Sequence, residues 1–262
     1  MMIPREARIA FAWLLWRDVQ RIAHSFTDKL IDAAVWSFNN IIISAYVLPL
    51  FGVSREYGPL IWIGTIATMA FFESIYCAND IVTDIATDNV IEYHCTLPLP
   101  SWLLFVKIAL SAALHSMVLS IMNLPLGYLV LYGTVDLSQA HWYAFAAVFI
   151  AMNLFFGFFA VWVASWARDG LRFGYVYRRV VNPLWLFGGY QFSWYVLYNA
   201  YPRAALVALL NPILYAFEGL RGAVLGGDTY LNPWICSAML FVYAILFAVW
   251  GGRWMKQRID AV

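Results

Sequence analysis

Four carboxylates recur at a fixed interval, Asp80, Asp84, Asp88 and Glu92, in a stretch from 79 to 101 that holds no Lys or Arg. On an α-helix, residues four apart share one face, so the spacing predicts an acidic ridge. Like charges at that spacing repel one another. Three roles fit such a ridge: a solvated face, a docking surface for a cationic partner, or a divalent-cation site.

A second set of polar groups falls inside apolar stretches. Glu73 lies in one of them, and Asn39 and Asn40 lie in another. An ionisable group within a membrane span is expensive and faces protein or water. Glu73 is therefore either part of a transport pathway or a carboxylate satisfied by a neighbouring Tyr, Trp or cation. Asn39 and Asn40 invite hydrogen bonds between helices or line a path. Glu218 and Arg221, three residues apart, can pair on one helix face. Their expected role is to hold a gate region rather than to perform chemistry.

Metal and nucleotide chemistry lack their signatures. Cys77, Cys95 and Cys236 form no CxxC motif and read as small apolar fillers. His24, His94, His115 and His141 are scattered, and no metal is assigned. A phosphate-cradling loop needs Gly before Lys in G-x-x-x-x-G-K-[ST]. Lys29, Lys107 and Lys256 follow Asp28, Val106 and Met255 instead.

The elements that must position these residues are apolar helices. The chain is 63% hydrophobic and 12% charged, with a mean hydropathy of +0.71. Soluble domains carry about 25% charged residues, so lipid must solvate much of this one. A net charge of +1 argues against a nucleic-acid partner. Thirteen Trp and sixteen Tyr suit interfacial belts and packing, or substrate stacking. The N-terminal stretch lacks the pattern of a cleaved secretory signal, so insertion falls to the internal helices. Residues 5–28 read as an amphipathic interface helix. Ala12, Leu15, Trp16, Val19, Ile22, Ala23 and Phe26 form its apolar face, opposite Arg17, Arg21 and His24.

A span needs about 20 apolar residues. Candidates are about 30–51, 58–78, 102–132, 142–166, 174–192 and 232–252. Between the last two, residues 193–230 are apolar but broken by Pro202 and by Asn211-Pro212, in pieces too short to cross. Such pieces suit a re-entrant hairpin whose irregular backbone is buried in protein. The expected fold is an all-α integral membrane protein of a single permease domain over 1–262. It has about six spans, the interface helix and the hairpin.

Orientation follows the positive-inside rule. With a cytosolic N-terminus, the cytosolic side holds Arg5, Arg8, Arg17, Arg21, Lys29, Arg168, Arg172, Arg178, Arg179, Arg253, Lys256 and Arg258, with Lys107 near the start of the third span. Only Arg55, Arg203 and Arg221 fall outside. Both termini are then cytosolic, in a multi-pass protein of the inner, or cytoplasmic, membrane.

Two stretches resemble the type-two ABC exporter permeases, the membrane subunits that move polysaccharide, teichoic-acid and drug cargoes. The first runs from Asp88 through Glu92, Tyr93 and Thr96-Leu97-Pro98-Leu99-Pro100 to Lys107. It is similar to the family's coupling helix and following turn, which sit in a cleft of the ATPase subunit. The second, Leu210-Asn211-Pro212 through Glu218 to Arg221-Gly222, is similar to the short re-entrant helices before the last span. The family often has Gly before the Thr-Leu, and basic residues among the acids. The purely acidic loop here implies a more basic partner cleft.

The resemblance implies a homodimeric export pathway for a lipid-linked glycan, lipid or hydrophobic compound. It implies ATPase docking through Asp84, Asp88, Glu92, Tyr93 and Leu97, and a gate built on Asn211, Pro212, Glu218 and Arg221. No cofactor is expected in this chain; ATP and magnesium belong to a separate ATPase subunit. Two rival functions fit less of the sequence. A proton- or ion-coupled transporter would want a relay of intramembrane charges, for which Glu73 is a single member. An intramembrane prenyltransferase would want an acid three residues after Asp80, where Thr83 stands.

Overall fold

The computed structural model of the chain describes residues 4–24, 26–88, 93, 96, 99–167, 169–227 and 229–259. The described residues are helical with no β-strand. Among the described residues, five helices are long and apolar enough to cross a membrane: Phe26–Phe51, Tyr57–Thr83, Ser101–Val130, Trp142–Trp166 and Pro233–Gln257. The chain is thus a helical, membrane-spanning protein.

Helix α1 covers Arg5–His24, and α2 covers Phe26–Ile42. Beyond Ile42 the helix continues as a π turn over Ile43–Val47 and a 3-10 turn over Leu48–Phe51. Pro49 cannot donate to the carbonyl four residues back, and Ser44 Oγ bonds the Asn40 carbonyl at 2.6 Å. Both weaken regular α geometry here. Gly52, at φ 87°, ends the run.

Helix α3 is Tyr57–Thr83, α4 is Ser101–Ile121 and α5 is Asn123–Val130. The break between α4 and α5 has the same cause, since Pro125 has no N–H for the Ile121 carbonyl. Helix α6 is Trp142–Trp166. Next come α7, Gly170–Val176, a π turn over Tyr177–Val181, and α8, Asn182–Leu186, which carries Pro183 in its first turn. Three short helices follow: α9 Trp194–Ala200, α10 Pro202–Ala208 and α11 Pro212–Val224. Helix α12, Pro233–Ile259, ends the described chain.

Burial separates centre from rim. The most apolar stretch of α3 is 78% buried and that of α6 is 67%, whereas α12 reaches 28% and α2 only 17%. The core between α3 and α6 is aromatic. Phe71, Phe155, Phe156 and Phe159 are fully buried, and Phe71 meets Phe156 edge-on at 5.7 Å. Small residues set the close approaches, as expected where lipid removes the hydrophobic drive between helices. A Cβ on Gly157 would stand 2.2 Å from the Ala109 carbonyl of α4.

Two elements differ in detail from expectation. The span expected at 174–192 is instead helical over Gly170–Leu186. That run rises about 25 Å at 1.5 Å per residue, against a hydrocarbon core of about 30 Å. Helix α1 also packs on another face. Ala7, Phe11 and Leu14 meet Leu99 and Leu103, and Asp18 pairs with the buried Lys107 of α4. Of the expected apolar face, Ala12, Trp16, Val19 and Ala23 are exposed, and Leu15, Ile22 and Phe26 are half-buried. The helix has two apolar sides, and the periodicity of one concealed the other.

Candidate functional site

The most heavily constrained polar centre lies in α11. Asn211 caps this helix, its side chain accepting from the Ile213 N–H at 3.0 Å while donating to the Leu184 carbonyl at 2.6 Å. Pro212 takes the first turn, where a missing N–H is harmless. One helix turn apart, Glu218 and Arg221 are both fully buried and stand 3.7 Å from each other.

Arg221 does far more than pair with Glu218. Its Nη1 donates to the Gly189 carbonyl at 2.6 Å and the Phe192 carbonyl at 3.0 Å, and Nη2 donates to Tyr190 at 2.6 Å. Its Nε donates to the Leu60 carbonyl in α3 at 3.2 Å. Glu218 accepts from the Trp194 N–H at 3.1 Å and the Leu231 N–H at 3.3 Å. Non-helical backbone at membrane depth is tolerated only when protein satisfies it. The carbonyls of Gly189, Tyr190 and Phe192 belong to non-helical backbone, and the guanidinium fork supplies their donors. Gly64 leaves the room, since a Cβ there would stand 3.0 Å from Arg221 Nη2.

The segment from 193 to 230 closes on itself. Ser193 Oγ donates to the Thr229 carbonyl at 3.0 Å, so its two ends meet. Between them α10 and α11 are bent by 101° at the Leu209–Asn211 link. The expected gate residues Asn211, Pro212, Glu218 and Arg221 therefore form one unit.

A second polar centre joins α2, α3 and α4. Lys29 Nζ lies 3.4 Å from Glu73 Oε2 and 2.9 Å from His115 Nε2. His115 Nδ1 lies 3.7 Å from the same carboxylate oxygen and 3.6 Å from Cys77 Sγ. Glu73 was legible as an intramembrane acid. Its partners were not, because each comes from a different stretch of sequence. Cys77 is thus no plain apolar filler. No group of His, Cys, Asp and Glu among the described residues has the arrangement of a metal site.

The two asparagines of α2 separate. Asn40 accepts from the Tyr190 hydroxyl at 3.2 Å and so reaches the loop that Arg221 holds. Asn39 is exposed on the outer side of α2.

The acidic stretch begins in the last turn of α3 and enters a π turn over Asp84–Asp88. A π turn closes hydrogen bonds one residue later than an α turn. The backbone keeps α-helical hydrogen bonding up to Asp84, whose N–H donates to the Asp80 carbonyl, and widens beyond it. Asp80 and Tyr93 are exposed and Asp84 is half-buried. Glu92, Leu97 and the Asp88 side chain lie outside the described residues.

Comparison with protein-family models and with curated proteins finds nothing that matches the chain. The exporter resemblance therefore stands on the two stretches that carry it.

Proposed function

We propose that the chain is the membrane-spanning permease subunit of an ATP-driven ABC exporter. It moves a lipid-linked glycan, lipid or hydrophobic compound along a path between two copies of itself. A separate ATPase subunit docks at the 79–101 loop and supplies the energy.

The observation that carries this reading is the closed segment 193–230. Its ends meet at Ser193 and Thr229, its helices are short, and one buried ion pair fastens it to α3 and to the 189–192 loop. This supports a hairpin that enters and leaves the membrane at one face. The Gly170–Leu186 run then serves as a short sixth crossing beside the five long helices. That count returns both termini to the positively charged, cytosolic side. Helix α2, little covered within one copy, is suited to face the second copy.

The test is purification of the tagged chain from its own membrane. A polypeptide bearing the G-x-x-x-x-G-K-[ST] loop is expected to copurify, with ATP hydrolysis only in the complex. Hydrolysis by the purified chain alone would sink the proposal.

The Lys29–Glu73–His115 cluster favours a second reading, a proton-coupled transporter. That reading predicts transport into vesicles driven by a proton gradient without nucleotide, and its loss in Glu73→Gln. ATP-dependent transport that survives collapse of the gradient discards it.

A further inference from the structure

A cavity away from both polar centres carries mixed chemistry. It is a groove of about 330 Å³ between α4, α6 and α12, at the end of the bundle where the chain leaves α12. Its walls are apolar, with Phe105 from α4, Phe158 from α6 and Phe247 from α12. Its mouth is different. Arg253 and Lys256, three residues apart on α12, both line it, and both are exposed. Trp102, half exposed, completes the rim. No acid lines the groove among the described residues. The neighbouring cation Lys107 is already paired with Asp18.

Two adjacent glycines shape this face of α12. Gly251 lets the helix close on α6, since a Cβ there would meet Trp162 backbone at 3.2 Å. Gly252 meets nothing within 4 Å. It leaves the groove open beside the two cations.

We propose that this groove seats one acyl chain of an anionic phospholipid of the surrounding bilayer, with the lipid phosphate on Arg253 and Lys256. The pattern is that of an amphiphile: an apolar slot as deep as the aromatic walls, ending at paired positive charge and an interfacial Trp. Basic pockets between membrane helices take anionic headgroups for this reason, and Arg matches phosphate geometry with two parallel donors. A zwitterionic lipid fits the slot equally but brings its own ammonium to the cations.

The test uses the whole chain. Purified protein is equilibrated with mixed vesicles of phosphatidylcholine and phosphatidylglycerol, resolubilised, and its retained lipids counted by native mass spectrometry. The wild type is expected to retain one phosphatidylglycerol in preference to phosphatidylcholine. Arg253→Gln with Lys256→Gln should lower that retention about tenfold or more, as loss of charged hydrogen bonds implies. Gly252→Leu, which fills the slot but leaves both cations, should lower it too. Arg203→Gln, an exposed cation elsewhere, should not. Equal retention of the two lipids, or unchanged retention in either groove variant, overturns the proposal. So does recovery of a glycan-linked lipid from this groove in protein taken from its own membrane.

Discussion

Arg221→Met should destabilise the fold more than any exposed substitution of comparable size. The side chain is fully buried and donates to four backbone carbonyls, those of Leu60, Gly189, Tyr190 and Phe192. Met fills similar space but donates to none of them, and it strands the buried Glu218 carboxylate. Removing one partner of a buried ion pair typically costs about 3–5 kcal/mol. At about 1.4 kcal/mol per factor of ten, the folded-to-unfolded ratio should fall by about two to three and a half orders of magnitude. The assay is equilibrium unfolding in mixed micelles with increasing denaturing detergent, followed by Trp fluorescence. Arg203→Met, at an exposed position, is the reference. Arg221→Lys should recover less than half of the loss, because one ammonium cannot serve acceptors now shared among three nitrogens. A loss below about 1 kcal/mol, the scale of an exposed pair, would refute the idea that the guanidinium holds the 189–192 backbone.

Three further outcomes are expected. In a cysteine-free background, Gln139→Cys should react with an impermeant maleimide from outside and Gln257→Cys should not; the reverse pattern would invert the proposed orientation. Gly157→Ala forces a Cβ against the Ala109 carbonyl at 2.2 Å and should cost about 1–3 kcal/mol, whereas Gly252→Ala should leave the melting temperature unchanged. The combined change Asp84→Asn, Asp88→Asn and Glu92→Gln should leave the protein folded but weaken ATPase capture in pull-downs. Asp136→Asn is the control for this set: the Ser138 N–H and hydroxyl, at 2.8 and 2.9 Å, hold its carboxyl below the usual carboxylate range within its own turn.

Local features were readable from sequence and long-range ones were not. The expected span at 142–166 coincides with α6, because an apolar run bounded by a loop has few alternatives. Pro202 and Asn211-Pro212 marked breaks that became the ends of α10 and α11, since proline acts on its own backbone. Glu218 and Arg221 were readable as a pair because three residues on a helix is a local distance. The four carbonyl partners of Arg221 were not, since backbone acceptors carry no sequence signature. Lys29, Glu73 and His115 sit on three helices, and only tertiary packing brings them within hydrogen-bond range. The π turns at 43–47, 84–88 and 177–181 were also hidden. Pro49 and Pro183 follow the first and third closely enough to account for them; nothing in the sequence accounts for the second.

The knot of bonds around Arg221 also orders events at the ribosome. Its acceptors lie at residue 60 and at residues 189–192, and its counter-charge lies at residue 218. The arginine is made last of these, so the carbonyls of Leu60 and of the 189–192 loop are made, and wait, before any of the bonds can form. A nascent chain halted before residue 221 would carry those loop carbonyls without their donors.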